Sequence, residues 1–166
     1  MYPPPFLPAT FTVPRLFETP RLRLRPLTMH DAVKDYAAVM ESESHLKTVF
    51  RPGSLWPTGL TLEENLLDCA WHQKEFELGS SFTYTAVAPD ESAVLGCLYI
   101  YPTRKPGYDA EITCWVRQSQ LAGGLDTHLF ASVEAWIAKD WPLEKPAYPG
   151  RRIAYDDWRA LQDVSS

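Results

Sequence analysis

Between residues 82 and 116 three apolar runs follow one another, "FTYTAVA", "AVLGCLYIY" and "AEITCWV", separated by the turn segments "PDES" and "TRKPGYD". Runs this short, rich in Val, Ile, Thr and aromatic side chains, read as strands. Separators that short allow hairpins but not the long crossover that parallel pairing needs. An antiparallel sheet therefore forms the middle of the chain. What precedes it reads as helix: two capping boxes, Thr28 with Asp31 and Thr61 with Glu64, each open a stretch of helical period. At 166 residues, with ordinary hydrophobic and charged content, the chain suits one domain of α+β class with a substantial core.

Residues 1–16 hold five of the fifteen prolines, which predicts an extended arm ahead of a domain over 17–166. In "ETPRLRLRPL", Leu22 and Leu24 alternate with Arg21, Arg23 and Arg25, the period of a half-buried strand with a solvated arginine face. The first helix should bury Val33, Tyr36, Ala37 and Met40. The second should bury Leu62, Leu66, Cys69, Ala70 and Phe76, ending at Gly79. Residues 50–59 read as a loop, in which Trp56 serves either as a lid on the core or as the wall of a substrate site. A last long helix over 125–139 should bury Leu129, Val133, Trp136 and Ile137. After it, a short strand around 147–151 and a helical turn or two in "AYDDWRALQD" are all that fits.

A net charge of −5 argues against nucleic acid as the main partner. Cys69, Cys97 and Cys114 lie far apart and odd in number, which favours reduced thiols and a cytoplasmic address; Cys114 reads as core rather than nucleophile. The four histidines show no metal-binding spacing, so no metal is expected. The N-terminus is broken by prolines and reads as neither signal peptide nor membrane span.

The stretch "CWVRQSQLAGGLDTHLF" (114–130) runs from a strand through a double-glycine turn into a helix. Unpaired amides and the positive helix end at such a junction favour an anion. With "ETPRLRLRPLTMHDAVKDY" at the front and "AEITCWV" before the turn, roughly residues 17 to 145 resemble the GNAT superfamily of acyl-CoA-dependent N-acyltransferases. The likeness is greatest to the branch holding the ribosomal-protein N-terminal acetyltransferases. It implies a GNAT-like fold with a mostly antiparallel central sheet flanked by helices, here shortened at its C-terminus. It also implies acetyl-CoA as co-substrate, an amine acceptor, and a cofactor site on the strand end Trp115–Val116 and the loop that follows. The family's loop pattern, Gln or Arg-x-x-Gly-x-Gly or Ala, falls on Leu121, Ala122, Gly123, Gly124, Leu125 and Asp126, with Thr127 next. Only Gly124 keeps the expected residue. Asp126 stands where a phosphate would come close, and a carboxylate about 5 Å from that charge opposes binding by roughly 3 kcal/mol. The same residue also reads as a helix cap or first-turn acid.

Glu111 is the candidate general base by that resemblance, with a surface pairing to Arg104 or Lys105 as its plainer reading. Tyr148 and Tyr155 are available tyrosines that spacing does not distinguish. Two functions stay open: an acetyl-CoA-dependent N-acetyltransferase for a primary amine, on a small molecule or a protein N-terminus, or a non-catalytic GNAT-like binding or oligomerisation module. The short C-terminus leaves a sheet edge uncovered, and aromatic Trp141, Tyr148, Tyr155 and Trp158 lie near it, so a homodimer through that region is expected.

Overall fold

Leu22 and Leu24 are fully buried, as their alternation predicts; Leu24 lies in β2 (Arg23–Pro26), Leu22 just ahead of it, and a two-residue strand β1 (Phe17–Glu18) flanks β2. The computed structural model describes residues 5–50 and 53–163. The first four residues of the arm, residues 51 and 52 of the expected loop and the last three residues lie outside it. The three consecutive strands are β3 (Phe82–Val87), β4 (Val94–Pro102) and β5 (Ala110–Val116), joined as antiparallel hairpins. A final strand, β6 (Pro146–Ala147), lies parallel to β5, giving a six-stranded sheet in the order β1-β2-β3-β4-β5-β6.

Helices α1 (Ala32–Glu41), α2 (Glu43–Val49) and α3 (Leu62–Leu78) precede β3, and α4 (Leu125–Asp140) joins β5 to β6. On one face of the sheet Leu98, Ile100, Ile112 and Cys114 pack with Leu129, Val133, Trp136 and Ile137, the α4 face expected from periodicity. On the other, Cys97, Tyr99 and Trp115 pack against Ala38, Val39 and Leu46 of α1 and α2. Thr61 and Glu64 complete their capping box, and Gly79 ends α3 in the left-handed region at φ 70°.

The buried faces of α1 and α3 differ from expectation. Ala32, Asp35, Ala38 and Val39 are the buried residues of α1, while Val33 is 68% exposed. Asn65, Cys69 and Phe76 are those of α3, while Leu62 and Leu66 are exposed. The reason is a polar contact at the centre of the helix pair: Asn65 Nδ2 donates to Asp35 Oδ2 at 3.0 Å and to the Ala32 carbonyl at 3.1 Å. A buried amide hydrogen-bonded to a buried carboxylate holds positions that an apolar pattern leaves out.

From Pro5 onward the proline-rich arm lies against the domain. Phe6 donates its amide to the Gly79 carbonyl, Phe6 and Phe11 meet Phe82 and Trp141, and the Tyr84 hydroxyl donates to the Pro14 carbonyl at 2.6 Å. At the C-terminus, α5 (Tyr155–Ala160) closes the chain. Trp141, Tyr148 and Trp158, expected to face a second copy, are buried within this one.

Candidate functional site

β5 and β6 pair only at Ala110–Pro146 and Glu111–Ala147, then diverge. The parallel pair opens because Pro149 and Gly150 turn the chain away from β5, Gly150 at φ 76° with the Tyr155 ring against its Cα. The resulting cleft, about 190 Å³, is bounded by Thr113 and Cys114 of β5, His45 and Thr48 of α2, Asp126 at the start of α4, and Tyr155. Backbone groups alternate along a strand. The Cys114 carbonyl faces the opening, where Arg151 Nη2 donates to it at 3.3 Å. The Trp115 carbonyl faces β4 instead, 2.0 Å from where a Cβ on Gly96 would stand. Of the expected strand-end pair, alternation thus turns Val116 toward the open side and Trp115 away from it, with both side chains fully buried.

The loop that follows is held from outside. The Gln118 amide donates to Ser42 Oγ at 2.9 Å and the Ser119 amide to Glu41 Oε1 at 3.1 Å. Arg117 also pairs with Glu41 and, with Ser119, lowers that carboxyl to about 2. Leu121 and Leu125 point into the core. Gly124 takes φ 69°, which explains why a glycine stands there. The amides of Ala122, Gly123, Leu125, Asp126 and Thr127 have no acceptor among the described residues, so an anion has donors to meet. Arg21, distant in sequence, donates to the Gly123 carbonyl at 2.8 Å and brings a positive charge to the loop.

Gly124 holds the N-cap of α4, and Asp126 is an acid of its first turn, one of the two places expected for it. Its two oxygens accept from Arg151 Nη1 and Nη2 at 2.6 and 2.7 Å, and that guanidinium also lies 5.0 Å from the Phe130 ring centre. The carboxylate is therefore paired, and the repulsion expected from an isolated charge is largely offset.

Glu111 lies on the α1–α3 face of β5, directly opposite Tyr101. It is half-buried, and burial raises its carboxyl above the ordinary range, against a hydrogen bond from Trp158 and the charge of Lys105. Lys105 itself pairs with Asp163 and donates to the Leu161 carbonyl, so the expected ion pair with Glu111 is not formed among the described residues. Of the two tyrosines left open by spacing, Tyr148 is in the core beside Phe130, and Tyr155 lines the cleft. Burial raises the Tyr155 hydroxyl, Arg151 opposes this, and the charge of Glu111 adds to it. Arg21 and Arg151 were not expected at the site, and Tyr155 stood level with Tyr148, because each reaches the site through tertiary contact alone.

Trp56 lines a second cavity, about 310 Å³, on the same face of the sheet, with Phe50, Tyr99, Tyr101 and the carboxylates Asp35 and Asp68.

A capped helical layer, an antiparallel sheet that opens between two parallel strands, and a helix N-terminus with unpaired amides at that opening define the fold of the GNAT acyl-CoA N-acyltransferases. Solved structures agree. The ribosomal-protein-S5-alanine acetyltransferase from Vibrio fischeri superposes with a TM-score of 0.64 at 17% identity, over 80% of this chain and 72% of that one. Mycobacterium smegmatis RimJ, solved with a CoA disulfide, gives 0.62 at 20% identity over 82% and 66%. The microcin C7 self-immunity acetyltransferase MccE, solved with acetyl-CoA and AMP, gives 0.62 at 8% identity over 77% and 68%. No protein-family model and no curated protein matches the chain.

Proposed function

We propose that this protein is an acetyl-CoA-dependent N-acetyltransferase acting on a primary amine, of a small molecule or a protein N-terminus. The observation that carries the reading is the opening of β5 from β6 beside a run of unpaired amides at Ala122, Gly123, Leu125, Asp126 and Thr127. Similar structures were solved with CoA or acetyl-CoA, which supports acetyl-CoA as co-substrate here. In this reading the amides take the pyrophosphate. Cys114 and Val116 offer backbone partners to the pantetheine arm. Acyl transfer forms a C–N bond and breaks a C–S bond. Glu111 takes the proton that the amine loses, and the Tyr155 hydroxyl supplies one to the departing thiolate. A cytoplasmic address is consistent with three free, buried cysteines. Among the described residues no helix is long and apolar enough to cross a membrane.

One observation favours the non-catalytic alternative. With the Arg151–Asp126 pair in place the cleft is smaller than the roughly 300–1,000 Å³ of most small-molecule sites, so Arg151 must leave the Cys114 carbonyl before a ligand lies along β5. Thermal shift with acetyl-CoA separates the two readings. Cofactor at 100 times its dissociation constant adds about 2.7 kcal/mol, a rise of about 5–10 °C for a chain this size. Asp126→Ala, which frees the guanidinium beside the loop, should tighten binding while lowering the apo melting temperature. Arg151→Ala, which leaves the carboxylate unpaired, should weaken binding about ten- to a hundredfold, since the roughly 3 kcal/mol repulsion of a nearby unpaired charge is partly screened by solvent. The absence of any shift at millimolar acetyl-CoA would leave the binding-module reading in place.

We also propose a homodimer, on the ground that β6 pairs with β5 alone and leaves a sheet edge. Light scattering should read twice the chain mass, and a single-chain mass at high micromolar concentration would remove the proposal.

A further inference from the structure

We propose that the second cavity is a binding site for an organic cation, an ammonium group on a small apolar or aromatic frame. Four rings form its wall. Phe50 meets Trp56 edge-on at 5.1 Å between centroids and Tyr99 at 5.6 Å, and Tyr99 stacks on Tyr101 at 5.9 Å. Such ring faces attract a positive charge, and more strongly once it is stripped of water. Two carboxylates, Asp35 and Asp68, complete the lining, and no lysine or arginine is among the described lining residues. The cavity's 310 Å³ is enough for a ligand of about that description.

Asp35 is the residue that makes the site specific. It is 5% exposed. Oδ2 accepts from Asn65 at 3.0 Å, with the Cys69 thiol at 3.9 Å, whereas Oδ1 has no donor among the described residues. A buried carboxylate with one oxygen fixed and the other unengaged is oriented to receive an ammonium. Among the described residues, the groups around it add no unpaired positive charge at neutral pH, the Arg25 guanidinium being held by Asp31. These groups are Asp31 ahead of α1, Asp68, Cys69 and His72 on α3, and Cys97 and Tyr99 on β4. Burial lowers the His72 imidazole, so it stays neutral. Burial raises the Asp35 carboxyl to about 6, with Asp31 and Asp68 adding to the rise and Asn65 opposing it. A bound cation favours the ionised form, so affinity should fall as the pH drops through that value.

Tyr101 of this cavity lies opposite Glu111, the proposed general base. That the cation is the acyl acceptor rests on the reading given above; that the cavity takes a cation does not. Calorimetric titration without acetyl-CoA tests the second statement on its own. The probes are phenethylammonium and its neutral counterpart 2-phenylethanol. The ammonium should bind at least about tenfold tighter than the alcohol, and about tenfold weaker at pH 5 than at pH 7.5. Asp35→Asn should abolish the difference between the probes. The neutral amide resembles the protonated acid, so this variant should fold. Trp56→Leu should weaken both probes. Equal affinities for amine and alcohol, an unchanged preference in Asp35→Asn, or no heat from either at about 10 mM would each overturn the proposal. A cation that binds while acetyl-CoA gives no thermal shift would sustain this site and remove the acyltransferase reading.

Discussion

Gly96→Ala is expected to lower the melting temperature by about 10 °C, the largest stability change we anticipate from one methyl group. Gly96 sits on β4 opposite Val116. A Cβ there would meet the Trp115 carbonyl oxygen at 2.0 Å and the Val116 Cα at 2.9 Å, and both belong to backbone. A flexible side chain could turn aside, but these atoms can move only if β4 and β5 separate. That separation would also loosen the Arg117 amide bond to the Leu95 carbonyl, 2.7 Å long, which leads into the candidate loop. Overpacking of this kind costs about 3 kcal/mol, and a chain of this length shifts by about 2–4 °C per kcal/mol. Gly123→Ala is the comparison. A Cβ there meets nothing closer than the Gln120 carbonyl oxygen at 3.7 Å, so its melting temperature should stay within about 2 °C of the parent. Calorimetry on the three proteins checks this. A Gly96→Ala chain as stable as the parent would mean that the two strands do not approach as described.

Glu111→Gln should lower kcat by about 10²–10³-fold, the effect of removing a positioned general base. Acetyl-CoA affinity should hold, because the carboxylate lies five residues, roughly 16 Å, along β5 from Val116, after which the amide loop follows. The pH profile separates chemistry from structure. Burial raises the Glu111 carboxyl, so activity should decline as pH falls through that raised value and the base is protonated. In Glu111→Gln that acid limb should vanish along with most of the rate. Tyr155→Phe should instead lower the rate while leaving the acid limb intact. Release of free CoA thiol across a panel of amines gives all of these numbers. If Glu111→Gln keeps its rate and loses only stability, Glu111 serves as the acceptor for Trp158 and nothing more.

How much of this was legible follows from the range of the forces involved. The hairpins over 82–116, the Thr61–Glu64 box, the stop at Gly79 and the inner face of α4 are local, set by side-chain period and by which residue tolerates a given φ. They could be read before any contact was known. So could the turn at Gly124, where only the backbone conformation matters. The same rule explains the errors. Apolar periodicity assigned Val33 and Leu66 to the core because it gives no weight to polar residues, and Asp35 and Asn65 took those places by satisfying one another.

The sequence by itself determined the order of elements, the central antiparallel sheet and the glycine turn into α4, because each depends on residues within a few positions of one another. Only the tertiary structure decided what stands in the cleft. Arg151 meets Asp126 and Cys114 across 25 and 37 positions, and Arg21 meets Gly123 across 102. No local pattern encodes such pairs, since a guanidinium finds its carboxylate only after the sheet and helices have fixed both backbones.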